Sequence, residues 1–187
     1  SHSCWPSMVW QTYDYYLEPT AAYFAIKKAS EPLHIQWNPA TDEVEVVNYS
    51  AGTRNNLTAK VQILNMDGSV AWEKTATVNS REDTTEKCIR LEFPENLSQV
   101  HFLKLWLTEN GNVVSDNFYH RSLEENNYQA LKQLPQVSLN CQSEASRNEK
   151  GDWTATVTLE NPASVPALMI RVNVTGDKDG DQFLPIL

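Results

Sequence analysis

Three cysteines and four histidines are the side chains in this 187-residue sequence that could bind a metal or relay a proton. Their spacing argues against both. Cys4, Cys88 and Cys141 are far apart and contain no C-x-x-C pair, and neighbouring thiolates are what let two sulfurs converge on one ion or on each other. The odd count leaves two readings: one disulfide and a spare thiol in an exported protein, or three ordinary buried or half-buried thiols. The second is favoured. His2, His34, His101 and His120 sit at no ligand spacing from each other or from a cysteine. No metal and no cofactor is therefore expected. Asp177-Lys178-Asp179-Gly180-Asp181 follows a calcium loop only in part. Its glycine comes too early for D-x-[DN]-x-[DN]-G, and the turn preferences of Asp and Gly explain it as a solvated bend.

Other residue types suggest surface chemistry. Asn48-Tyr49-Ser50, Asn56-Leu57-Thr58, Asn96-Leu97-Ser98 and Asn173-Val174-Thr175 match the N-glycan acceptor pattern, as chance alone would allow in a chain rich in Asn, Ser and Thr. Trp37, Trp72, Trp106 and Trp153 fall one to each alternating segment. They could form a sugar-stacking platform, but one core tryptophan per β-sandwich is ordinary and is the preferred reading. By strand parity, Trp72 and Trp106 are expected to face outward. The charge balance of 15 basic against 24 acidic residues, net −9, is wrong for a phosphate-backbone partner, which needs a clustered basic surface. Lys27-Lys28 is the one adjacent Lys/Arg pair. No apolar run approaches the roughly 18 residues of a membrane span. Neither nucleic acid nor membrane is an expected partner.

The elements that position these residues change character along the chain. The opening, Trp5 to Phe24, is crowded with aromatics. Val9 to Thr12 suits a short strand. Thr20 to Ala29 suits a helix: Pro19 precedes its first turn, alanines fill it, and Lys27 and Lys28 sit at its negative end. Glu31-Pro32 breaks it. From Leu33 the period becomes two, with expected strands at Leu33–Trp37, Glu43–Val46 (one face charged, one apolar), Ala59–Ile63, Val70–Val78, Lys87–Phe93, Phe102–Leu107 and Val113–Tyr119. Asp67-Gly68 and Asn110-Gly111 mark hairpins. Seven short strands in about 90 residues have the count and spacing of an immunoglobulin-like sandwich. A polar connector follows, with a helical turn or two near Tyr128–Lys132. Further strands are expected at Gln136–Cys141, Trp153–Leu159 and Leu168–Val174.

Four blocks then carry a family likeness: Trp5–Phe24 with Glu31-Pro32-Leu33-His34-Ile35-Gln36 behind it; Asp116-Asn117-Phe118-Tyr119; Tyr128-Gln129-Ala130-Leu131 through Leu134-Pro135 and Val137; and Phe183-Leu184-Pro185-Ile186-Leu187. Over nearly its whole length the chain resembles the C-terminal region of glycoside hydrolase family 2, the group holding β-mannosidases and exo-β-glucosaminidases. It departs from the pattern at His120, where a tryptophan is usual.

The resemblance implies a mainly β chain, with tandem immunoglobulin-like β-sandwiches preceded by a short strand–helix tail of a TIM barrel. The implied domains are 1–31 (barrel tail), 32–121 (first sandwich), 122–135 (linker) and 136–187 (a second, truncated sandwich). Enzymes of this family are retaining glycosidases, which need two carboxyl groups about 5–5.5 Å apart. The resemblance places that pair before residue 1, so no catalytic residue is expected here and the role is accessory. The implied substrate, met through the parent enzyme, is a β-linked mannoside or glucosaminide cut from its non-reducing end. The helix is expected to pack on the parent barrel. An isolated fragment, with Tyr23, Phe24 and Ile26 uncovered, is expected to self-associate. Barrel active sites form where strand ends meet loops, so Trp10 and Asp14 are the candidate substrate-binding residues, Trp10 by stacking on a sugar ring. A periplasmic or extracellular location suits an enzyme that meets polysaccharides. The rival reading is a free-standing carbohydrate-binding or adhesion module of tandem sandwiches.

Overall fold

The computed structural model describes Thr12, Tyr13 and residues 19–172. Trp10, Asp14, most of the Val9–Thr12 segment and the Asp177–Asp181 loop lie outside them. Tyr13 forms an isolated antiparallel bridge with Pro19, and the Thr20 N–H donates to the Thr12 carbonyl at 3.0 Å. Helix α1 (Ala21–Ala29) follows, with Thr20 extended at its N-cap position and Lys27 and Lys28 in its last turn. The Ser30 N–H closes it onto the Ile26 carbonyl at 2.9 Å. None of its nine residues is buried. A helix this short is marginal on its own in water and depends on packing.

Seven antiparallel strands then build two facing sheets. One has the order β1 (Leu33–Asn38), β2 (Glu43–Asn48), β5 (Thr84–Arg90). The other has the order β4 (Val70–Ser80), β3 (Arg54–Asn65), β6 (Val100–Glu109), β7 (Asn112–Ser122). Their inner faces supply alternate apolar residues to one core. Ile35, Val44 and Val46 come from the first sheet, and Leu57, Val61, Ile63, Leu103, Leu105 and Leu107 from the second. Both expected hairpin dipeptides make turns: Gly68 has φ +88°, and Asn110 and Gly111 both have positive φ, as a two-residue hairpin requires.

Two details differ from the strand-parity expectation and one agrees with it. Trp72 lies opposite Ile63 and packs against the core, because the register of β3 and β4 shifts between Ile63 and Leu64. Trp106 does face away, opposite Lys60 and Asp116. Glu45, expected on a charged open face, is buried; it accepts hydrogen bonds from Gln36 Nε2 at 3.2 Å and Asn38 Nδ2 at 3.1 Å.

Beyond β7 the connector is held to the sandwich. Ser122 Oγ lies 2.6 Å from the carbonyls of both Glu124 and Asn127, and Tyr128 meets His120 edge-on with centroids 5.3 Å apart. A short 3-10 helix (Gln129–Gln133) leads to the hairpin β8 (Asn140–Arg147) and β9 (Trp153–Glu160). The strand expected at Gln136–Cys141 thus begins only at Asn140. Residues 168–172 form no strand: Met169 has φ +57° and, with Ile170 and Val172, is exposed, and they join none of the described sheets.

Candidate functional site

The densest polar network joins α1 to the sandwich and uses two of the sequence blocks that carry the family likeness. Glu31 sits at its centre. One carboxylate oxygen, Oε1, lies 3.2 Å from Lys28 Nζ. The other, Oε2, accepts from Ser115 Oγ at 2.7 Å and faces His34 Nδ1 at 3.4 Å. Lys28 also pairs with Asp116, the neighbour of Ser115 on β7. Helix end, β1 and β7 are thereby tied at one point.

Below Glu31, side chains of β7 engage the free edge of β1. The Ile35 N–H donates to Ser115 Oγ at 3.2 Å, Asn117 Nδ2 donates to the Ile35 carbonyl at 3.2 Å, and the Trp37 N–H donates to Tyr119 Oη at 3.3 Å. Asn117 Nδ2 also reaches Tyr119 Oη at 2.8 Å and His34 Nε2 at 3.4 Å. Alternate β7 residues face the same way, so Ser115, Asn117 and Tyr119 form three successive rungs. They satisfy backbone groups of β1 that no strand pairs on that side. A histidine tautomer with its proton on Nδ1 suits both His34 contacts.

A serine, a histidine and a glutamate in contact invite comparison with a nucleophilic triad, and the order rules it out. In such a triad the imidazole stands between hydroxyl and carboxylate so that it can take the hydroxyl proton. Here the carboxylate stands between the other two, and Ser115 is buried with its oxygen engaged by a backbone N–H. The arrangement suits fixation. Burial pushes the Glu31 carboxyl upward, but hydrogen bonds from Ser115, Lys28 and His34 outweigh it and hold the group below its usual range. For Lys28, burial acts downward and is outweighed by Asp116 and Glu31, so its ammonium titrates above the ordinary lysine value.

An open cleft of about 350 Å³ flanks the network, lined by Glu31, Pro32, Ala51, Arg54, Glu109 and Val114. On α1 itself Phe24 and Ile26 are each 56% exposed. Among the described residues no group of three or more His, Cys, Asp or Glu side chains could hold a metal ion. The four described tryptophans lie on four separate strands, β1, β4, β6 and β9. Trp37 packs on Tyr119 inside the sandwich, the Lys104 ammonium sits 4.7 Å from the Trp106 ring, and Trp153 is exposed on β9. Of the glycan-acceptor asparagines, Asn48 is buried and spends its amide on the Gly52 carbonyl and the Ala51 N–H; Asn173 lies outside the described residues. Sequence reasoning missed Ser115, a single serine on an alternating strand. Its one signal was its place directly before the Asp116–Tyr119 block.

Known proteins match this architecture along the whole chain. Residues 42–122 match the mannosidase Ig/CBM-like domain, and residues 117–187 the exo-β-D-glucosaminidase Ig-fold domain. An exo-β-D-glucosaminidase of Hypocrea jecorina is 30% identical over 96% of the chain, and one of Streptomyces avermitilis is 32% identical over 99%. Among solved structures, the Amycolatopsis orientalis exo-chitosanase CsxA superposes on 98% of the chain with a TM-score of 0.87 at 28% identity. The chain spans 23% of the length of the first two proteins and 24% of the third.

Proposed function

Because the chain belongs to the C-terminal immunoglobulin-like region of family 2 glycoside hydrolases, we propose that the whole protein is a retaining exo-β-glycosidase of glucosaminides and that this segment is its non-catalytic support. The observation that carries the supporting role is the Glu31 network. It ties a nine-residue helix with no buried residue of its own to the edge of a rigid sandwich. Such a helix needs a partner on its apolar face, and Phe24 and Ile26 offer that face outward. In this reading residues 1–31 close the catalytic barrel, α1 packs on it, and the sandwich braces the barrel near the rim of its cleft.

Glucosaminides are favoured over mannosides by the relatives that match nearly the whole chain, which are named exo-β-D-glucosaminidases. The mannosidase domain match over 42–122 favours mannosides as the second reading. The two catalytic carboxylates of the retaining mechanism, about 5–5.5 Å apart, are assigned to the part of the protein outside this chain. Trp10 and Asp14 are assigned to the substrate cleft. Polymeric substrate is met outside the cytoplasm, so the protein works in a periplasm or beyond the cell; fractionation with an antibody to this segment tests that placement.

The decisive experiment compares the full-length protein with the 187-residue segment on p-nitrophenyl β-D-glucosaminide and β-D-mannoside. Hydrolysis of the first by the full-length protein alone is expected. Hydrolysis by the segment, or saturable binding of glucosamine oligosaccharides to it, would favour a self-sufficient module.

A further inference from the structure

The tip of the β3–β4 hairpin meets a second unit, the β8–β9 hairpin with the loop that follows it, and Gly68 lies at that contact. A Cβ placed on Gly68 would lie 2.9 Å from the Ser164 carbonyl oxygen and 3.3 Å from Pro166 Cδ. Backbone cannot swing aside as a flexible side chain would, so only a residue without a Cβ fits the present contact. The positive φ of Gly68 is a separate demand, made by the turn itself.

Each side of this contact is stiffened by its own hydrogen bonds. On the hairpin, the Gly68 N–H donates to the Asn65 carbonyl and the Asn65 N–H to the Ser69 carbonyl, both at 2.9 Å. Asn65 Oδ1 accepts from the Ser98 N–H at 2.9 Å, and the Met66 N–H donates to Ser98 Oγ at 2.9 Å. On the opposing loop, Asn161 Oδ1 accepts from the Ala163 N–H at 3.1 Å and Asn161 Nδ2 donates to the Val165 carbonyl at 2.8 Å. Pro162 and Pro166 fix φ within the same loop. Two preformed surfaces meet here, which lowers the entropy lost in joining them.

We infer that Gly68 and the Ser164–Pro166 loop form a seat that sets the orientation of the second unit on the first sandwich. The covalent connector is pinned at its start by Ser122 and Tyr128. One pinned tether leaves a unit free to rotate, and the seat, far along the chain from that tether, removes the rotation. The inference holds whatever the parent protein hydrolyses.

Gly68→Asn in the 187-residue chain tests it. Asn tolerates positive φ better than other side chains, so the turn survives while its Cβ meets Ser164. Tryptic cleavage at Lys132 in the connector is expected to quicken about fivefold as the seat opens, with an increased radius of gyration in small-angle scattering and an unchanged first-sandwich melting transition. Wild-type cleavage and scattering would overturn the proposal. Should the hairpin itself melt in this variant, Pro166→Ala decides, because it alters only the opposing wall. Faster cleavage at Lys132 supports the seat, and a wild-type rate overturns it.

Discussion

Ser115 and Glu31 stand 84 positions apart in sequence and are joined by a 2.7 Å hydrogen bond in which the serine hydroxyl donates. The same oxygen accepts the Ile35 N–H, so one buried hydroxyl links the end of α1, the first strand and the last strand of the sandwich. Ser115→Ala strands that backbone N–H and removes a charge-assisted bond. A loss of about 2 kcal/mol in unfolding free energy is expected, read by urea denaturation. A loss within error of zero would mean that water replaces the hydroxyl.

Glu31 and Lys28 give the junction opposite limits of pH. Glu31 titrates below its unfolded value of 4.5, so its contribution is complete above that pH and disappears as pH falls through the folded value. Lys28 titrates above 10.5; its contribution is complete below that pH and disappears as pH rises through the folded value. Glu31→Gln should flatten the acid limb of the stability profile more than the alkaline limb, and melting temperatures across pH measure it.

His101 adds a separate acid sensitivity. Burial lowers its pKa, with the Ser98 carbonyl acting upward and Arg121 downward. A base depressed below 6.5 on folding stabilises the native state above that pH, and the benefit fades as pH falls. A fall in melting temperature beginning below pH 6.5, absent in His101→Gln, is the expected signature.

The two described cysteines should differ sharply in reactivity. Cys88 lies against the core, its Sγ 3.3 Å from the Val44 carbonyl, and burial pushes its thiol up to about 11. Cys141 is exposed on β8. A thiol reagent at pH 8 should label Cys141 within minutes and spare Cys88 until the sandwich unfolds, as peptide mapping would show.

On the proposed function, Trp10→Ala in the full-length protein should raise KM about tenfold, the worth of one lost stacking contact of ~1–2 kcal/mol. Unchanged kinetics would return Trp10 to the protein interior. For the isolated segment, Phe24→Ser should reduce the concentration-dependent association expected from the uncovered helix, as light scattering would report.

Much of the architecture was legible because its signals are local. Period-two alternation marked all seven strands of the first sandwich, Asp67-Gly68 and Asn110-Gly111 marked their turns, and Pro19 and Pro32 bracketed the helix. What escaped depends on distant partners. Trp72 turned inward because a register shift inverted its parity. Glu45 could be buried because Gln36 and Asn38 meet it across β1. The segment after Leu168 looks like a strand by composition, but composition does not supply a neighbour to pair with. The junction was half visible: the blocks holding Glu31 and Asn117 stood out, whereas Ser115 showed only by its place directly before the second block, which does not reveal that it closes the space between them.

The rungs from Ser115, Asn117 and Tyr119 have one more effect, on how copies of the protein behave when crowded. An open strand edge is a template on which a second molecule can add its own strand, the first step of fibrous aggregation. On β1 the Ile35 N–H and carbonyl and the Trp37 N–H are already engaged by β7 side chains. A foreign strand would have to displace three built-in hydrogen bonds to dock there. The side chains that close the space beneath the helix therefore also close the β1 edge of this sheet to a neighbour's strand.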